Sequence, residues 1–418
     1  MNFKPNILQS WEGYTQKLLI KDIFAGITVG VVALPLSMAF AIASGLKPEV
    51  GIYTAIIAGF LISIFGGCRV QIGGPAGAFI IIIYGILHDY GLANLLIATG
   101  LSGLILVLMG LLKLGNLIKH IPQTVIYGFT NGIAILIGLS QIKDFLGLTN
   151  ELPADFFGMV REIIIHLPDF KPLALGTSLI CLLFLISWRK IRRHIGFVGG
   201  VPETFLVLFF ATVTAKLWDL PLETIGSRFG GIPDHLPSWT IPQFDSVNIL
   251  HLLTPILTLA ILGAIESLLC AKVADEITNT SHDSNQELLA QGLTNFLLPF
   301  FGGMPATGTI ARTVTSIHSG GSSPIAGIVH SLTLVLIVCF ASQLAQFIPL
   351  ACLAAILIYV AINMGDWDKL LKPTQFKVSE RISIYSVFGL TVVFNLAVGI
   401  LVGIIWSLIT NWHGKKRQ

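Results

Sequence analysis

Charge is what this sequence has least of. Of 418 residues, 25 are Lys or Arg and 22 are Asp or Glu, together 11%, against about 25% in a soluble globular chain. With 54% of residues hydrophobic, so few charges could not cover a soluble surface, which excludes a cytosolic enzyme. A net charge of +3 makes no phosphate-tracking stripe and excludes a nucleic-acid partner. Cysteine is also scarce. Cys68, Cys181, Cys270, Cys339 and Cys352 are odd in number and scattered, without CxxC or CxxH spacing. They indicate neither a disulfide framework nor a metal centre, and read as packing residues. No cleavable leader pattern is present. Residues 1–21, with Trp11, Glu12, Lys17 and Lys21, read as an amphipathic cytoplasmic surface segment. No nucleophile–base pair, phosphate loop or metal-ligand cluster stands out, so neither an enzyme nor a cofactor is expected.

What is abundant is apolar sequence in long runs. These lie near 22–43, 51–66, 76–88, 92–112, 121–142, 174–188, 200–218, 250–272, 287–301, 306–317, 324–346, 349–364, 382–394 and 396–412. A bilayer core takes about 20 apolar residues per helix, fewer where a helix is broken. The expectation is an all-α polytopic membrane protein with fourteen transmembrane segments over 22–412, ending in a basic tail at 413–418. Stretches 143–173 and 219–248 read as polar loops. Eighteen of the 25 Lys and Arg fall on the side that holds both termini, which the positive-inside rule makes cytoplasmic.

A repeat appears at a fixed offset. Gly73-Gly74-Pro75 precedes the short run 76–88, and Gly302-Gly303-Met304-Pro305 precedes the short run 306–317. Ile121-Pro122 and Ile348-Pro349 open later counterparts at a similar offset. Two halves, about 22–218 and 250–412, each with seven spans, must enter the membrane from opposite sides, as inverted repeats of secondary transporters do. The short third and tenth segments then read as half-helices. Their N-termini, with unpaired N–H groups and partial positive charge, meet near the midplane and favour an anion.

Individual residues refine this. Glu266 lies in an apolar run, where a carboxylate costs roughly 2.5–3.5 kcal/mol on insertion scales. Protonation removes that cost, so Glu266 is the candidate coupling residue. Arg312 reads as lying two turns into the second half-helix, where an anion between guanidinium and dipole would relieve both. Phe40, beyond the Pro35 kink, is a candidate wall for the cavity. His330 and Asn131 read as interhelical hydrogen-bonding residues. Ser284-Asn285-Gln286-Glu287 has the spacing of a capping box.

These residues also carry a resemblance. Asp22–Gly30 with Ala33-Leu34-Pro35, Gly74–Phe79, Gln141–Leu148, Gly263–Ala271, Glu287–Gly292, and Phe301-Gly302-Gly303 followed by Ile310–Thr313 resemble the SulP anion transporters, relatives of solute carrier family 26. The nearest branch looks like the DauA-type C4-dicarboxylate transporters. The resemblance implies two inverted repeats arranged as core and gate domains, and a homodimer in the bacterial inner membrane. It places a small anion between the third and tenth helices. The expected substrate residues are Phe40, Ala76, Gly77, Thr309, Ile310, Ala311 and Arg312, with Glu266 as the coupling site. Sodium-coupled bicarbonate members place Asp and a nearby Thr where this chain has Glu266 and Cys270, which favours a coupling proton over sodium. The soluble STAS domain that usually follows the last helix is not expected here. Proton-coupled C4-dicarboxylate uptake is the leading expectation, with sulfate or bicarbonate transport, or an uncoupled anion channel, as alternatives.

Overall fold

The computed structural model describes residues 5–10, 13–118, 123–153, 155–191, 202–242, 249–394, and 399, 402, 403 and 406. In chain order the helices are α1 (Asn6–Gln9), α2 (Gln16–Ala43), α3 (Pro48–Phe65), α4 (Ile80–Leu111), α5 (Gly115–Ile118), α6 (Gln123–Leu146), α7 (Phe156–His166), α8 (Pro172–Ile191) and α9 (Glu203–Leu217). They continue with α10 (Ile225–Phe229), α11 (Ile249–Thr278), α12 (Ser284–Leu297), α13 (Ile310–His318), α14 (Pro324–Ala345), α15 (Leu350–Met364), α16 (Trp367–Leu371) and α17 (Val378–Val393). Two strands of two residues each, β1 (Gly73–Gly74) and β2 (Thr307–Gly308), and short 3-10 turns at Gly77–Phe79, Leu167–Asp169, Leu298–Phe301 and Pro373–Gln375 accompany them among the described residues.

Every apolar run up to residue 394 coincides with a helix. Six helices among the described residues are long and apolar enough to cross a bilayer alone, and a seventh candidate is a pair, Phe156–Asp169 with Pro172–Trp188, bent by 117°. The run 396–412 falls almost entirely outside the described residues, as do Trp11, Glu12 and the tail 413–418.

Contacts divide the chain into two compact units, residues 1–119 with 187–353, and residues 120–186 with 354–418. In the first, α2 packs on α14 and α4 on α12. Small residues set these approaches, as expected where lipid removes the hydrophobic drive between helices. A Cβ on Gly103 of α4 would lie 2.4 Å from the Phe296 nitrogen of α12, and one on Gly292 of α12 would lie 2.5 Å from the Val107 nitrogen. No side chain fits at either position. Helix α4 is continuous in hydrogen bonding but not in geometry, because Gly91 has φ 81 and ψ 174. That break falls between the runs 76–88 and 92–112.

Helix α2 begins at Thr15, whose side chain caps Leu18 N–H. Its first turns carry Asp22, which is fully buried. The Asp22 carboxylate accepts from Tyr14 Oη at 2.6 Å, Ser322 N at 2.6 Å, Ser323 N at 3.3 Å and Ser323 Oγ at 2.5 Å. An acid of α2 thereby satisfies the main-chain donors just ahead of α14 that have no partner within the helix. Burial, then the hydrogen bond to Asp22, pushes the Tyr14 phenol up to about 12.

In the second unit α6 packs on α17, and α7 lies against α6. Helix α7 sits inside the stretch read as a polar loop. Asp155 caps it by accepting from Gly158 N–H, and it buries Met159 and Ile163 while Phe157, Ile164 and Ile165 stay exposed. Its apolar residues were hidden among acids and prolines that read as a loop. Asn131 donates from Nδ2 to Tyr127 O at 2.7 Å and to Asp366 O at 3.3 Å, tying α6 to the turn before α16.

Candidate functional site

The two strands form an antiparallel pair with Gly73 opposite Gly308 and Gly74 opposite Thr307. A ladder this short has no independent stability, so side chains hold it. Thr307 Oγ1 lies 2.6 Å from Ser267 Oγ and donates to Gly263 O at 3.3 Å, both on α11. Asn295 of α12 grips Ala306 twice, accepting from its nitrogen and donating to its oxygen at 2.8 Å each. Thr309 donates from both N and Oγ1 to Ile72 O, at 3.1 and 3.0 Å, while Ile72 N donates to Thr313 Oγ1 at 3.1 Å. Irregular backbone at membrane depth needs this degree of internal satisfaction.

Each strand runs into a helix start. Ala76 is the residue before the 3-10 turn Gly77–Phe79 that leads into α4, and Thr309 is the residue before α13. Because the strands are antiparallel, the helices leave in opposite directions, and their N-terminal ends flank the pair. Ala76 and Gly77 are buried, Thr309 is buried, Ile310 is half-buried and Ala311 is exposed. The two Gly-Gly motifs do not correspond. Gly302, at φ 66, ends the 3-10 turn Leu298–Phe301, and the segment facing Gly73-Gly74 is Thr307-Gly308.

Arg312 is the third residue of α13, in its first turn and not two turns in. It is 1% exposed. Nη1 donates to Gly73 O at 3.2 Å and Nη2 to Ser37 Oγ at 3.0 Å, and Ser37 donates in turn to Ala33 O at 2.6 Å. A Cβ on Gly74 would stand 1.6 Å from Nη1, so the guanidinium occupies the space a side chain would need. No carboxylate lies within ion-pair distance of Arg312 among the described residues. A buried cation without a counter-ion is costly, and here the adjoining helix starts add positive potential. An anion would offset both.

Phe40 is buried one turn beyond Ser37 on α2. Glu266 is half-buried on α11, next to Ser267, and its carboxylate has no hydrogen-bond or ion-pair partner among the described residues. Cys270, one turn on, donates from Sγ to Thr313 Oγ1 at 3.3 Å. The fold thus gathers Ala76, Gly77, Thr309 and Arg312 around one strand pair and adds Ser37, Ser267, Thr307 and Thr313, which sequence reasoning missed. Their signal was faint, since single hydroxyls in apolar helices most often bond their own backbone. The Ser284–Glu287 capping box is also revised. Asp283 caps α12, accepting from Asn285 N and Gln286 N, and Glu287 points to other work. His330 is fully buried on α14.

Comparison with known proteins identifies the family. Residues 19–387 match the Sulfate permease family. The putative sulfate transporter YvdB of Bacillus subtilis (strain 168) is 44% identical over 96% of this chain and 74% of its own length. The bicarbonate transporter BicA of Picosynechococcus sp. is 32% identical over 92% of this chain and 68% of its own. The solved transmembrane domain of a cyanobacterium bicarbonate transporter BicA superposes with TM-score 0.80 at 30% identity, covering 94% of this chain and 98% of that one. The relatives compared carry sulfate and bicarbonate in their names, and none of the three is a dicarboxylate transporter by name. With the family matched over most of the chain, this protein belongs to the sulfate permease family of membrane anion transporters.

Proposed function

We propose that this protein is a secondary active transporter of a small oxyanion, with sulfate the leading substrate, and that Glu266 couples transport to protons. The observation that carries the reading is Arg312, a buried guanidinium with no carboxylate partner among the described residues, at the crossing of two helix starts. Backbone N–H groups and one fixed cation recognise charge and size, which suits a compact oxyanion. The 44% match to a putative sulfate transporter supports sulfate. Bicarbonate is the second reading, favoured by the match to BicA. The C4-dicarboxylate expectation has no comparable support and becomes an arm of the test.

Phe40, Ala76, Gly77, Thr309, Ile310, Ala311 and Arg312 remain the proposed substrate residues. Ala76 lacks a hydroxyl, so the anion's partners on that side are main-chain donors. Glu266, half-buried beside Ser267 and without a partner among the described residues, is neutral when protonated and repels an arriving dianion when ionised. Substrate entry therefore favours proton uptake. The proposal includes a homodimer in a bacterial plasma membrane with cytoplasmic termini, the orientation resting on the loop charges. The test is uptake into proteoliposomes from a panel of labelled sulfate, bicarbonate and succinate, under imposed pH or sodium gradients. Sulfate accumulation driven by pH is the expected result. Succinate accumulation without sulfate uptake would reject the substrate assignment, and a response to sodium alone would reject the coupling.

A further inference from the structure

The segment 66–72, between α3 and β1, has no regular structure, yet all of it except Arg69 is buried. Its main-chain donors must find partners inside the protein. They find Glu287, a fully buried carboxylate in the first turn of α12. Glu287 Oε2 accepts from Gly67 N at 2.9 Å and Cys68 N at 3.0 Å, and Oε1 accepts from Gln71 Nε2 at 3.1 Å and Gln291 Nε2 at 2.8 Å. Gln71 then packs directly under β2, since a Cβ on Gly308 would lie 1.6 Å from Gln71 Nε2. Two residues on, the same segment becomes β1, whose Gly73 carbonyl holds Arg312.

The helix start that carries this acid is itself braced. His282, just before α12, has Nδ1 2.6 Å from Asp275 Oδ2 and Nε2 2.9 Å from Ser284 Oγ, and its main-chain N–H donates to the same Asp275 oxygen at 3.0 Å. Asp275 lies on α11 and Asp283 caps α12, so the turn before Glu287 is fixed to the neighbouring helix.

We infer that Glu287 is the positioning residue of the anion cradle, holding segment 66–72 so that the Gly73 carbonyl meets Arg312. The inference rests on the anion site proposed above. Gly67, Cys68 and Gln71 all direct donors at this one carboxylate, and only two residues separate Gln71 from Gly73. Without the carboxylate these buried donors lose their acceptor. The segment then loosens, and the carbonyl that fixes Arg312 loosens with it.

Two measurements test this. The first is hydrogen–deuterium exchange of segment 66–72 in nanodiscs without substrate. Glu287→Gln should lower protection by about tenfold or more, the fold-change that goes with losing one hydrogen bond to a charged group. Gln71→Leu, which removes one donor only, serves if Glu287→Gln does not fold, and should lie between it and wild type. The second is sulfate transport by the same variants, where the half-saturation constant should rise as protection falls while the maximal rate changes less. Unchanged protection in Glu287→Gln or Gln71→Leu, or an unchanged half-saturation constant where protection is lost, overturns the inference. If exchange behaves as stated but Ala76→Trp still binds sulfate, the hold is real and the anion-site reading is what fails.

Discussion

The guanidinium of Arg312 reaches the hydroxyl of Ser37 at 3.0 Å, joining residues 275 positions apart. With its second bond, to Gly73 O, Arg312 pins the start of α13 to α2 and to the strand ahead of α4. One side chain is both the brace of the crossing and its fixed charge. The two roles separate experimentally.

We predict that Arg312→Gln removes anion binding and that Arg312→Lys keeps the charge but weakens binding, because an ammonium cannot span both acceptors as the planar fork does. Ser37→Ala should be milder, at about 1 kcal/mol, the usual net value of one hydrogen bond. Sulfate-dependent thermal stabilisation of purified protein reads all three. An Arg312→Gln variant stabilised by sulfate as wild type is would remove Arg312 from the site.

Gly74→Ala should abolish transport while the protein still purifies as a folded species. The added methyl would stand 1.6 Å from Arg312 Nη1, so the guanidinium must leave its position. Wild-type uptake in Gly74→Ala would show that the placement of Arg312 is not needed.

Glu266→Gln mimics the protonated carboxyl, so exchange of labelled substrate should persist while accumulation under a pH gradient is lost. The motivation is the half-buried carboxylate beside Ser267, which has no partner among the described residues. Accumulation equal to wild type under that gradient would assign coupling elsewhere.

Asp22→Ala should lower the thermal unfolding midpoint in detergent, since the donors of Ser322 and Ser323 lose their acceptor; each buried group left unsatisfied costs about 1–3 kcal/mol. Tyr14 gives this cluster an alkaline limit. Its folded value of about 12 lies above the ordinary phenol value of 10.0, so folding favours the neutral phenol. Its stabilising contribution is complete below pH 10 and is lost as pH rises through 12. Tyr14→Phe should flatten that part of the stability curve, followed by intrinsic fluorescence on heating.

Membrane class and helix positions were legible from composition and run length, because a bilayer imposes its thickness on any chain that crosses it. Glu266 and Arg312 stood out for the same reason, as charges where charge is expensive. The register of the repeat was not legible. Two Gly-Gly pairs suggested a correspondence, and the fold instead set Gly73-Gly74 against Thr307-Gly308. Glycine marks irregular backbone without saying which irregular backbone will pair. Helix α7 escaped notice because its apolar residues serve a short face of one helix and not a full span.

The sequence by itself determined that this chain lives in a membrane, that it is helical, and that Gly- and Pro-containing breaks interrupt it; their purpose is the proposal made above. Only the tertiary structure decided which side chains serve that purpose. Ser37, Gln71, Thr307 and Glu287 are ordinary polar residues along the chain and become specific through partners tens to hundreds of positions away. Hydrophobic burial in a bilayer is a local property, countable residue by residue. Satisfying a buried hydrogen bond needs a second group in the right place, and that place exists only once the helices have packed.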